Sequence, residues 1–196
     1  MILRPLTLIG ALALGGAAAA ETYELDPGHT EVIFAWNHAG LTTQRGEWTG
    51  ISGSVDFDPA DVAATTINVE IDAASIHTGV GALDDHLKSG DFFDAANNPT
   101  ITFASTGAVQ TGAETLRLTG DLTVKGQTVP VTLDVELTFM GAHPLGGFFD
   151  YYKGDWVGIE ATGTVMRTAL GVGLYAPGTS DAVDLTISAE MKAGGW

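Results

Sequence analysis

Apolar and polar residues alternate with a period of two through most of this chain, and that pattern constrains its fold more than any other feature. In residues 67–73, Ile67, Val69, Ile71 and Ala73 alternate with Asn68, Glu70 and Asp72. In residues 129–139, Val129, Val131, Leu133, Val135, Leu137 and Phe139 share one face, opposite Thr132, Asp134, Glu136 and Thr138. Residues 116–124 and 183–191 repeat the pattern, and 51–57, 101–109 and 159–165 carry shorter versions. Residues 31–36 put Val32, Phe34 and Trp36 on one side, with Ile33 and Ala35 on the other. These are eight strand candidates, and clean alternation marks strands of an antiparallel sheet buried on one face. Asp58-Pro59, Thr111-Gly112 and Pro177-Gly178 punctuate them, and Lys125-Gly126-Gln127-Thr128 predicts a hairpin between 116–124 and 129–139.

One stretch, 82–90, has helical spacing instead. Leu83, His86 and Leu87 fall on one face, Asp84 and Lys88 form an i,i+4 pair of opposite charge, and Gly90 is a natural stop. The expected fold is therefore all-β, with one short helix between strands four and five. Eight such strands can hide their apolar faces as a sandwich or as a closed barrel. Glycine, at 26 of 196 residues, favours the barrel, because kinks and bulges let strands curve. An eight-stranded barrel has room for one small ligand.

Residues 1–20 read as a secretory leader: Arg4, an apolar run over 6–14, then Ala18-Ala19-Ala20. The apolar run falls short of the ~20 residues of a spanning helix. Cleavage after Ala20 leaves a single domain over 21–196, with a periplasmic destination and no stable membrane insertion. The full chain has 8 basic and 24 acidic residues; without Arg4 the balance is 7 to 24, or −17. Such acidity speaks against nucleic-acid partners, which need clustered Lys and Arg. Cysteine is absent, which excludes a thiol nucleophile and thiolate metal ligands.

No serine stands in a strand–turn–helix elbow, and none of His29, His38, His77, His86 and His143 belongs to a short metal-binding spacing. No catalytic cofactor and no locally encoded metal site are expected; convergence of histidines distant in sequence stays open. His86 shares its helix face with two leucines, which suits either a packing role or a polar contact at a cavity mouth. Residues 143–156 hold Phe148, Phe149, Tyr151, Tyr152 and Trp156 among glycines, as a packed flap or as a portal for an apolar ligand. Phe92-Phe93 offers a second plug. Arg167, one of few basic residues, suits a surface ion pair or a ligand contact.

Tyr23-Glu24-Leu25-Asp26-Pro27-Gly28-His29-Thr30, Asp72-Ala73-Ala74-Ser75-Ile76-His77-Thr78-Gly79 and Asp85-His86-Leu87-Lys88-Ser89-Gly90-Asp91-Phe92-Phe93-Asp94 together resemble the YceI-like family of periplasmic, lipocalin-like polyisoprenoid-binding proteins. Asn98-Pro99-Thr100-Ile101-Thr102-Phe103, Gly120-Asp121-Leu122-Thr123-Val124-Lys125-Gly126 and Val129-Pro130-Val131 extend the match, which covers 22–191. Arg167 is followed by Thr168, Ala169, Leu170 and Gly171, where the family usually has Ser or Asp and then Phe-Gly. The resemblance implies an eight-stranded antiparallel lipocalin-like barrel holding an isoprenoid or similar lipid, with a homodimer as a possible assembly. It implies no agreed reaction. On this reading Phe34, Trp36, Ile71, Phe103, Leu133, Val135 and Leu137 form the tunnel wall. Phe93 plugs it, and His86 and Arg167 meet the head group of a polyisoprenoid or isoprenoid quinone. The rival reading is an enzyme acting on a lipophilic substrate, with His86 as acid or base. A third is an interaction module whose barrel is filled by its own side chains.

Overall fold

The computed structural model describes residues 20–196. The expected leader lies outside the described residues, apart from Ala20. Ten strands form: β1 (Glu21–His38), β2 (Thr42–Trp48), β3 (Ile51–Phe57), β4 (Thr66–Asp72), β5 (Ile76–His77), β6 (Thr100–Gln110), β7 (Thr115–Val124), β8 (Gln127–Ala142), β9 (Asp155–Met166) and β10 (Ala182–Ala193). They make eight staves, because β2 and β3 lie end to end along β1, and β4 and β5 continue the next stave. The remaining neighbours follow in the order β4-β6-β7-β8-β9-β10, and β10 pairs with β1 to close the ring. Every pairing is antiparallel. The fold is thus the all-β, lipocalin-like barrel that the alternation and the resemblance pointed to.

The helix α1 (Gly81–Lys88) follows β5 and precedes β6, rather than standing between strands four and five. Thr42–Trp48 and Ile76–His77 are strands that alternation did not mark. In β2 the reason is visible. Its inward positions are Gln44, Gly46 and Trp48, and the Phe34 ring lies where a Gly46 side chain would stand. A ring covering an inward glycine fills a sheet face that looks empty in sequence. Phe103 covers Gly120 in the same way. Register shifts interrupt β1 between Leu25 and Thr30, β6 between Ser105 and Gly107, and β8 between Leu137 and Phe139. Such bulges bend strands and help a sheet close.

Within α1, Leu83, His86 and Leu87 do face the barrel interior together. The expected Asp84–Lys88 pair does not form. Asp84 is buried and accepts bonds from Thr78 N–H at 2.7 Å and Thr78 Oγ1 at 2.6 Å, with His77 Nδ1 at 3.3 Å. The Thr78 hydroxyl hydrogen bond, offset by burial, holds its carboxyl below the usual range. Asp84 ties the helix start to the preceding loop, and its position in the first turn also suits the helix dipole.

Candidate ligand-binding site

Two chambers occupy the barrel. The outer one, about 560 Å³, opens between α1, Phe92-Phe93 and the loop after β9. The inner one, about 160 Å³, runs toward the opposite end. Ile71, Leu122 and Leu185 line both, so the two chambers adjoin there. Phe34, Trp36, His86, Phe93 and Arg167 lie on the outer chamber, and Phe103, Leu133, Val135 and Leu137 on the inner one. All the residues singled out for the wall, the plug and the polar contacts lie on one or the other of these two adjoining chambers.

The inner chamber is lined by aliphatic and aromatic side chains with two threonines, Thr30 and Thr65. Polar side chains gather at the outer chamber: His38, Gln44, His86, Arg167 and Thr179. His86 sits at its rim, with Nε2 3.0 Å from Asp91 Oδ2. Its ring stands edge-on to Phe92 at 5.1 Å and to Tyr175 at 6.3 Å, which makes an aromatic lip.

Arg167 lines the chamber but does not offer its charge to it. Nε donates to Ser180 O, Nη1 to Val172 O and Leu174 O, and Nη2 to Thr179 O and Thr179 Oγ1, all between 2.6 and 3.0 Å. A guanidinium has five N–H donors, and all of them are used. The surface ion pair considered for Arg167 does not form; its N–H donors go to the chain's own carbonyls and to Thr179 Oγ1. The residue is 9% exposed. Burial pulls its pKa down from the usual value, and nearby Asp181 opposes that shift. These bonds tie residues 172–180, one lip of the mouth, to Arg167.

Residues 143–154 connect β8 to β9 at the end opposite the mouth. They pack on the outside of the barrel. Val157 lines the inner chamber, so its neighbour Trp156 faces outward, and it is buried under His143, Tyr151, Tyr152 and Trp196. The flap reading of this aromatic stretch therefore describes its position, and the portal reading does not. Its anchor is Asp26, which is fully buried and accepts from Tyr151 Oη at 2.7 Å and Gly28 N–H at 2.8 Å, with His29 Nδ1 at 2.7 Å. Burial pushes the Asp26 carboxyl up, but the bonds from His29, Tyr151 and Gly28 outweigh it and hold the group below its usual range. Burial and the bond to Asp26 push the Tyr151 phenol up to about 12. Tyr151→Phe is expected to lower stability by about 1–2 kcal/mol in a denaturant titration, the scale of one hydrogen bond from a half-exposed phenol to a buried charged acceptor.

The sequence reading omitted Trp48, His38, Gln44 and Tyr175 from the wall. Trp48 packs on Phe34 at 4.6 Å and edge-on to Phe93 at 5.6 Å. Phe34 and Trp36 gave a signal for it, since a strand next to two inward rings needs an inward partner.

The YceI-like domain profile matches residues 23–191. The protein YceI of Escherichia coli O157:H7 is 35% identical over 94% of both chains. A UPF0312 protein of Vibrio cholerae serotype O1 (strain M66-2) is 31% identical over 93% of both. Among solved structures, Burkholderia cenocepacia BcnA superimposes with a TM-score of 0.74 at 25% identity, covering 85% of this chain and 98% of that one. A polyisoprenoid binding domain from Saccharophagus degradans, implicated in plant cell wall breakdown, shares the fold with a TM-score of 0.60 at 13% identity, over 90% and 99% of the two chains. Barrel, chambers and sequence kinship agree: this chain belongs to the YceI-like domain family.

Proposed function

We propose that the protein is a periplasmic carrier that encloses one long apolar chain, of the polyisoprenoid or isoprenoid quinone class. The observation that carries this reading is the division of the cavity. A narrow, almost wholly apolar inner chamber continues from a wider one whose polar groups gather in its own half. A chain with an apolar tail and a polar head fits that gradient, tail inward. Burial drives the binding at roughly 25 cal/mol per Å² of apolar surface, less the cost of ordering the chain. The polyisoprenoid binding named for the Saccharophagus degradans relative of the fold supports the ligand class. A binding role also suits the groups around His86, where the neighbouring walls are Leu83, Leu87, Phe92 and Tyr175.

Mass spectrometry of an organic extract of the purified full chain tests the reading. The expected result is a long-chain isoprenoid at close to one per protein. A protein that carries none, and takes up none from vesicles doped with a polyprenol, would overturn it.

A further inference from the structure

A third recess, about 380 Å³, lies on the outer wall among β8, β9, β10 and the bulge of β1. His29, Glu160, Glu190 and Trp156 line it. One nitrogen of His29 and one carboxylate oxygen each from Asp26 and Glu190 lie within 4.8 Å of one another. His29 is half-exposed, yet its Nδ1 is held 2.7 Å from Oδ2 of Asp26, a carboxylate with no exposure at all. A carboxylate buried behind an imidazole fixes one ring nitrogen and leaves the other free to bind; metal-ligating histidines are usually oriented this way. Glu190 stands beside that imidazole. Glu160, which accepts from Ser188 Oγ at 2.9 Å, adds a second carboxylate to the same recess.

Trp156 is an independent pointer. It is 1% exposed, it lines the recess, and its Nε1 has no hydrogen-bond partner. An indole N–H can only donate. Left buried without an acceptor it costs on the order of 1–3 kcal/mol. A water or hydroxide carried by an ion in the recess supplies an acceptor.

We propose that this recess binds one divalent metal ion of the zinc class through His29 and Glu190, with Asp26 orienting the imidazole. An imidazole beside carboxylates, with no thiolate, suits zinc better than calcium or magnesium, which take oxygen ligands. None of these three side chains lines the lipid chambers, so the proposal stands apart from the carrier reading.

The test is isothermal titration of the tag-free, metal-stripped full chain with zinc chloride. One ion per chain is expected, with binding lost in His29→Ala and in Glu190→Gln. Asp26→Asn should weaken it by about tenfold or more. Circular dichroism confirms the fold of each variant. Should His29→Ala unfold, Glu190→Gln carries the test, since its side chain is on the outer wall. Titration curves that coincide for the wild type and a folded Glu190→Gln overturn the site. So does displacement of the zinc by an equal concentration of calcium.

Discussion

Leu122→Trp is expected to weaken retention of a long isoprenoid by about a thousandfold, with the barrel still folded. Leu122 stands where the two chambers adjoin. A tryptophan there projects into open volume rather than into a packed core, so the usual penalty for overpacking does not apply in full. The indole blocks the passage inward. Each buried methylene is worth roughly 0.8 kcal/mol, so excluding one five-carbon unit costs about 4 kcal/mol, or three decades in affinity. Binding of a long prenol and of a two-unit analogue, measured side by side by fluorescence competition, checks this. The short analogue, which the outer chamber accommodates alone, should bind equally well to both proteins. Unchanged affinity for the long chain would show that it never enters the inner chamber.

Arg167→Ala should produce the largest loss of stability of any single substitution at the mouth, about 4 kcal/mol, or a fall in melting temperature of about 10 °C. The five bonds of its guanidinium converge on four carbonyls and one hydroxyl within residues 172–180. Truncation strands those acceptors around a void. Leu170 and Val172, both buried and both on the outer chamber, then lose the loop geometry that seats them. Arg167→Lys should recover less than half of the loss, because one ammonium has three donors and none of the planar fork. Calorimetry gives the stability, and hydrogen exchange over residues 168–181 shows whether the loosening is local.

Strand identity was legible wherever a stave presented side chains inward. Val129 to Phe139 and Val183 to Met191 could be read directly from their period of two. The β2 stave could not, because Gly46 leaves its space to Phe34, and the pairing of a glycine with a ring on another strand is a property of the closed sheet. The tunnel wall followed from the same alternation, since burial inside a barrel and burial in a core have the same signature. Arg167 shows the opposite case. Its type and scarcity pointed toward an ion or a ligand, whereas its partners are backbone carbonyls, which every sequence supplies and none reveals. The recess at His29 was equally silent, for it joins a bulge in the first stave to side chains from the last two.

Because Tyr23 pairs with Ala193, and Phe34 with Leu185, the seam of the ring runs between the earliest and the latest parts of the described chain. The ring closes only where the last stave meets the first, and that pairing joins segments most distant in sequence, the kind of contact that carries the largest loop-closure cost. Until that pairing forms, the apolar inner surface is accessible along a full-length slit.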